Sequence, residues 1–144
     1  TEMGVHSFRF FFSDFCQYKK NKALNIERLK RVAAAACAQC GQPWMPEFEE
    51  SPAATLKHAL ELSKGTSFVA DEDTHQSYVS QNSALRNKID RNSPISVFLG
   101  PEGGWSPEEH HLIDAHCEKL SLGPHILRVP TASVAALAIL REAY

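Results

Sequence analysis

The stretch Ile95-Ser96-Val97-Phe98-Leu99, followed at once by Gly100-Pro101-Glu102-Gly103-Gly104-Trp105-Ser106-Pro107-Glu108-Glu109, decides the fold. Its first five residues form a short apolar run bounded by turn formers, the pattern of a strand buried on both faces. Behind the glycines, Ser106 offers an N-cap, Pro107 suits the first helical position and Glu109 completes a capping box. A helix is therefore predicted over about residues 107–119. Efficient capping accounts for Ser106 through Glu109, but not for the three glycines in residues 100–104. Gly100, Gly103 and Gly104 are expected to take positive φ and to let a ligand come close to the backbone. They would do so at the carboxyl end of a parallel strand, where open α/β sheets bind ligands.

Outward from this loop, strands and helices alternate. Phe8-Arg9-Phe10-Phe11-Phe12 reads as a strand, and Ile26, Leu29, Val32, Ala33, Ala36 and Cys37 recur at helical spacing from about Asn25 until Gly41 and Pro43 stop them. A second helix is expected over residues 53–63 and a short strand over residues 67–70. The polar residues 76–93 are expected to be loop with a helical turn. After residues 120–123 and 126–128, an alanine-rich helix runs from about residue 131 to the end. The pattern is that of one α/β domain with a parallel sheet covered on both faces, and 144 residues that are 43% hydrophobic suffice for one core.

A formal charge of −2 excludes the strongly basic balance that would by itself announce a nucleic-acid binder. Locally, Lys19, Lys20, Lys22, Arg28, Lys30 and Arg31 are relieved only by Glu27, as either the solvated face of a helix entry or a phosphate-contacting strip. No apolar run reaches the length of about 18 residues that a membrane span needs, and no leader pattern opens the chain, so a cytoplasmic protein without a membrane partner is expected. Thr1-Glu2-Met3-Gly4-Val5 reads as the end of an element, and an N-terminal part is expected to be missing. Cys37 and Cys40 form a C-x-x-C for which His110, His111, His116 and Cys117 are the nearest second pair of zinc ligands. Their alanine-rich helical surroundings favour cysteine as a small apolar filler, so no metal is expected. The glycine spacing matches neither G-x-G-x-x-G nor G-x-x-x-x-G-K-[ST], and Glu102 would repel a polyphosphate.

The segment from Leu99 to Glu109, followed by Leu122-Gly123-Pro124-His125-Ile126-Leu127-Arg128 and a terminal helix opening Thr131-Ala132, closely resembles the RsmE family of the SPOUT superfamily. The resemblance extends to the opening Thr1-Glu2-Met3-Gly4-Val5 and to Ala36-Cys37-Ala38-Gln39-Cys40-Gly41, and so spans nearly the whole chain. Members of that family methylate N3 of a uridine in 16S ribosomal RNA with S-adenosylmethionine. The resemblance implies a SPOUT-type parallel sheet flanked by helices with a C-terminal trefoil knot, in a homodimer acting on RNA of the small ribosomal subunit. Residues 1–144 would be a single methyltransferase domain, lacking the family's N-terminal PUA-like barrel. The cofactor would lie against Gly100, Pro101, Glu102, Gly103 and Gly104 on one side and Leu122, Gly123, Ile126 and Leu127 on the other. Residues 68–72, with Ala70, would close the third side. RNA phosphates would meet Lys19, Lys20, Lys22, Arg28 and Arg31.

Methylating uridine N3 needs in-line approach to a sulfonium methyl by a nitrogen relieved of its proton. Arg128 stands either as the electrostatic stabiliser of charge on the uracil oxygens or as one partner of a bracing ion pair. Glu102 is either a base or an acceptor of backbone N–H bonds that orders its loop. His125 offers a substitute base or is simply exposed, and Trp105 either stacks on a ligand or staples the helix start. Gln42, His125 and Pro130 stand where the family pattern carries charge, and joint loss of an Arg and a Glu avoids stranding one buried charge. These departures motivate the alternative of a non-catalytic SPOUT-fold protein that binds cofactor or RNA. Small residues on the last helix, Ala132, Ala135, Ala136 and Ala138, would let another helix approach closely, in a dimer or within the domain.

Overall fold

The computed structural model describes residues 1–17, 24–70 and 78–144. Along the chain run β1 (Ser7–Phe8), α1 (Ile26–Cys40), β2 (Glu47–Phe48), α2 (Leu56–Leu62), β3 (Thr66–Ala70), α3 (Tyr78–Lys88), β4 (Ile95–Phe98), α4 (Pro107–His116), β5 (Glu118–Leu120) and α5 (Val129–Ala143). Every pairing is parallel. β1 pairs with β2, a bridge between Phe11 and Ala53 continues that line, and the main sheet has the order β4-β3-β5.

β3 alternates its side chains across the sheet, and both sides are dry. Val69 joins Phe98 from β4, Leu56, Ala59 and Leu60 from the α2 side, and Ile113 from α4. On the other face Phe68 and Leu120 pack with Leu85 and Ile89 on the α3 side and with Ala136, Leu140 and Ala143 of α5. The mixed α/β architecture with parallel strands agrees with the expectation from sequence. α1 ends where Gly41 turns left-handed, at φ 73°, and its N–H bonds the Cys37 carbonyl.

Several boundaries differ from the sequence reading, each for a physical reason. The aromatic run from Phe8 is a strand only at its start, because β2 is two residues long and the ladder resumes only at Phe11. α2 begins at Leu56 rather than Ala53, since Thr55 caps it and Ala53 is engaged by Phe10 and Phe12 backbone groups. Residues 78–88 form a helix where loop with a helical turn was expected; Leu85, with Ile89 just beyond its end, seats the segment on the sheet although most of its other positions are polar. α4 ends at His116, where Cys117 turns extended and β5 pairs with β3. α5 starts two residues earlier than read, because Pro130 is compatible with its first turn.

Two glycines at element ends separate backbone strain from collision. At Gly41 an added Cβ would meet nothing within 4 Å, so Gly41→Ala is expected to lose roughly 1–2 kcal/mol from left-handed strain alone. At Gly65, φ 70°, the added Cβ would overlap the Pro94 carbonyl oxygen, which also accepts the Thr66 N–H. Gly65→Ala should therefore destabilise clearly more than Gly41→Ala in urea unfolding; equal losses would contradict the close approach of β3 and β4 at this end.

Candidate functional site

The parallel strands of the main sheet end at one edge, with Ala70 at the end of β3, and two loops leave from it: residues 99–106 after β4 and 121–128 after β5. In the first loop, the Gly104 N–H bonds the Pro101 carbonyl at 3.0 Å, which sets Glu102 and Gly103 at the centre of a tight turn. Of its three glycines only Gly104 has positive φ, at 75°. Gly100 and Gly103 are bare because the protein's own groups fill the space. A Cβ on Gly100 would lie 2.8 Å from the Trp105 ring, and one on Gly103 would lie 3.0 Å from Cβ and carbonyl oxygen of Phe15. The expected positive φ and open approach at Gly100 and Gly103 are thus corrected: those glycines admit Trp105 and Phe15. Trp105 stacks on Phe11, with centroids 6.1 Å apart and planes 3° apart, and packs against the Val69 cluster. This is the staple role.

Glu109 organises this loop. Its side chain is buried, 5% exposed, and accepts bonds from Ser13 Oγ at 2.9 Å, Asp14 N–H at 3.2 Å and Ser106 N–H at 3.0 Å. Ser106 Oγ accepts the Glu109 N–H at 3.2 Å and donates to Asp14 Oδ2 at 2.6 Å. The capping box thus exists as read, and its carboxylate also holds the N-terminal segment beside the glycines. Of the two roles considered for Glu102, base or loop-ordering acceptor, the second is not filled among the described residues: Glu102 is exposed and makes no hydrogen bond with them. Sequence reasoning missed the long-range half of Glu109's role, because the capping pattern marks only its local bonds and nothing at Ser13 or Asp14 points to a partner so far along the chain.

The second loop is more open. Gly123 has φ 109°, and an added Cβ there, as at Gly104, would meet nothing within 4 Å. Ile126 is 81% exposed, an unusual place for a large apolar side chain, while Leu122 packs partly against the Phe68 cluster and Leu127 is half-buried. Residues 124–127 make no backbone hydrogen bond with the described residues. Arg128 is the N-cap residue of α5, exposed, and makes no ion pair with the described residues; the bracing partner considered from sequence is not among them. His125 is exposed. Phe68 is fully buried and cannot line the third side, whereas Ala70 is half-buried at the strand end; residues 71 and 72 lie outside the described residues. Upstream, Ser121 is held by Gln81, a residue that sequence reasoning did not single out.

Arg28 and Arg31 are exposed on α1, while Lys19, Lys20 and Lys22 lie outside the described residues. Between the arginines Lys30 bonds Glu50 and Glu27, and these bonds raise its pKa. Gln42 donates to the Trp44 carbonyl at 3.2 Å, which Cys37 also approaches with its thiol at 3.3 Å. Among the described residues, no three His, Cys, Asp or Glu side chains gather to hold a metal ion, and His111 and His116 bond carbonyls within α4. Nor, among them, is any helix long and apolar enough to cross a membrane.

Residues 1–141 match the family model of the RNA methyltransferase domain. The ribosomal RNA small subunit methyltransferase E of Rickettsia conorii is 30% identical over 144 residues, covering 98% of this chain and 55% of that protein. The protein of the same name from Bacillus subtilis is 28% identical, covering 95% and 56%. Among solved structures, a Legionella pneumophila protein described as a methyltransferase in complex with the bound cofactor SAM superposes with a TM-score of 0.80 at 27% identity, over 99% of this chain and 57% of that one. A ribosomal RNA small subunit methyltransferase E from Neisseria gonorrhoeae bound to S-adenosyl methionine gives 0.69 at 26% identity, over 97% and 56%. The chain belongs to the RNA methyltransferase domain family, and these relatives bear out the RsmE resemblance carried by its two loops. It spans little more than half the length of the curated relatives it matches.

Two measurements test the local chemistry. Glu109→Ala strips two buried donors and one part-buried donor of their acceptor and should destabilise by about 2–4 kcal/mol in urea unfolding, with Glu109→Gln milder. Burial pushes the Cys117 thiol up to about 11, so at pH 8 only on the order of 0.1% is thiolate. Its alkylation should be slow at that pH and climb about tenfold per pH unit toward 11, after the exposed Cys40 has reacted. Fast labelling of Cys117 at pH 7 would contradict its packing beside Ile113.

Proposed function

We propose that the whole protein is an S-adenosylmethionine-dependent methyltransferase acting on N3 of a uridine in small-subunit ribosomal RNA, and that this chain is its catalytic domain. The observation that carries this reading is the second loop: Ile126 stands 81% exposed at the carboxyl edge of the sheet, in a stretch, residues 124–127, whose backbone makes no hydrogen bond with the described residues. An adenine needs that combination, an apolar contact for its face and N–H and C=O groups for its edge. The open space over Gly104 and Gly123 suits the same ligand. The proposal includes the SPOUT-type trefoil knot, the homodimer, a cytoplasmic location and an additional N-terminal barrel domain in the whole protein.

S-adenosylmethionine, when bound, supplies an electrophilic methyl group. Leu122, Ile126 and Leu127 would flank its adenine, and Gly104 and Gly123 would admit its approach to the backbone, with Ala70 nearby. Arg128, exposed and without an ion-pair partner among the described residues, would put positive charge beside the uracil oxygens. That charge favours the N3-deprotonated uracil, in which the nitrogen lone pair is free to attack. Glu102, at the tip of its turn, would accept the N3 proton. Arg28 and Arg31, with Lys19, Lys20 and Lys22, would contact RNA phosphates, giving affinity that falls with salt. On α5, the exposed Val134 and Ala138 form a narrow outward stripe suited to a second copy of the helix.

Titration calorimetry with S-adenosylhomocysteine tests the reading. Saturable binding is expected, and Ile126→Asp should weaken it about tenfold or more with little change in melting temperature, since the side chain is exposed. Arg128→Ala should leave that binding intact and lower methyl transfer to small ribosomal subunits by about 100-fold in the full-length protein. Binding without methylation by the unaltered full-length protein would establish the non-catalytic alternative.

A further inference from the structure

We propose that Gln81 is a positioning residue for the cofactor loop: its side-chain amide fixes the backbone of Ser121 and thereby the course of the residues that follow. This rests on the cofactor reading given above and deepens it. Gln81 lies in the first turns of α3 and is 3% exposed. Its Nε2 donates to the Ser121 carbonyl at 2.9 Å, and its Oε1 accepts the Ser121 N–H at 2.6 Å. One planar amide thus holds both backbone groups of one residue, as an adjacent strand would. The described register of β5 against β3 runs to Leu120, so Ser121 is where the chain passes from sheet to loop.

The chemistry of the pairing is selective. A backbone N–H only donates and a C=O only accepts, so the amide has one satisfactory orientation. Glutamate would accept the N–H but set a carboxylate against the carbonyl oxygen. Methionine would fill the space and make neither bond. Packing alone does not call for an amide here, because α3 is already seated by Leu85 and a buried polar group is unfavourable unless paired. The pairing matters for what lies downstream. Residues 124–127 make no backbone hydrogen bond with the described residues. Among the contacts that bracket them are the Gln81 amide on Ser121 at one end and, at the other, the first turn of α5, where Ala132 N–H bonds the Arg128 carbonyl at 2.8 Å.

The test uses the full-length protein with Gln81→Met, and with Leu56→Ala, in the opposite core cluster, as a control for general loss of stability. Backbone hydrogen exchange of residues 118–123 without cofactor, and calorimetry with S-adenosylhomocysteine, are read on both. Gln81→Met is expected to speed exchange in that segment, beyond the control, by about tenfold and to weaken binding by about tenfold. Exchange no faster than in the control overturns the proposal, and so does faster exchange with unaltered affinity. If the unaltered protein binds no S-adenosylhomocysteine, faster exchange still upholds Gln81 as the anchor of the loop, and the cofactor reading falls instead. Should Gln81→Met fail to fold, Gln81→Glu, which keeps one of the two bonds, takes its place with the same readouts.

Discussion

A strand paired on both sides has no free backbone edge, and β3 meets this condition between β4 and β5. Because all three strands are parallel, each connection must cross a face of the sheet before the next strand begins. The crossings are made by α3 on one face and α4 on the other, which supplies the cover that Phe68 and Val69 require. The segments that follow the strands then have one place to go. Loops 99–106 and 121–128, though more than twenty positions apart in sequence, are neighbours because the strands before them flank the same β3.

The first loop is rigid for reasons that have little to do with a ligand. Trp105 and Phe15 occupy the space that side chains at Gly100 and Gly103 would claim, and Glu109 collects donors from Ser13 and Asp14 as well as from nearby Ser106. Its negative charge also sits in the first turn of α4, where the helix dipole favours it. The second loop is built on the opposite plan, with firm ends and an open middle. One wall of the site is pre-formed, and the other is held only where it enters and leaves.

Local rules explain which of these features were legible in the sequence. The strand at 95–98, the capping box and the αL glycine that ends α1 are decided by neighbours a few residues apart, and they stand as read. α3 was not legible, because only Leu85 and Ile89 mark its buried face and its polar Gln81 is buried for a partner forty residues away. The short β5 lacked an apolar pattern, since Glu118 and Lys119 occupy two of its three positions. The glycines misled in a different way: bare backbone is equally good for a ligand and for a tryptophan, and composition does not distinguish them. The bond between Ser13 and Glu109 spans 96 positions and leaves no trace at either residue.

That last separation bears on how the molecule comes into being. Parallel pairing and contacts between distant residues mean that loop-closure entropy must be overcome before most native contacts form, and such topologies fold slowly. The glycine loop cannot reach its final shape until the segment near Ser13 returns to meet Glu109, nor can the second loop be anchored until β5 has docked beside β3. During synthesis, therefore, the segment near Ser13 must wait until Glu109 has been made, and the second loop until β5 has. The site is a late product of folding, assembled from segments that meet only after long stretches of chain have been laid down between them.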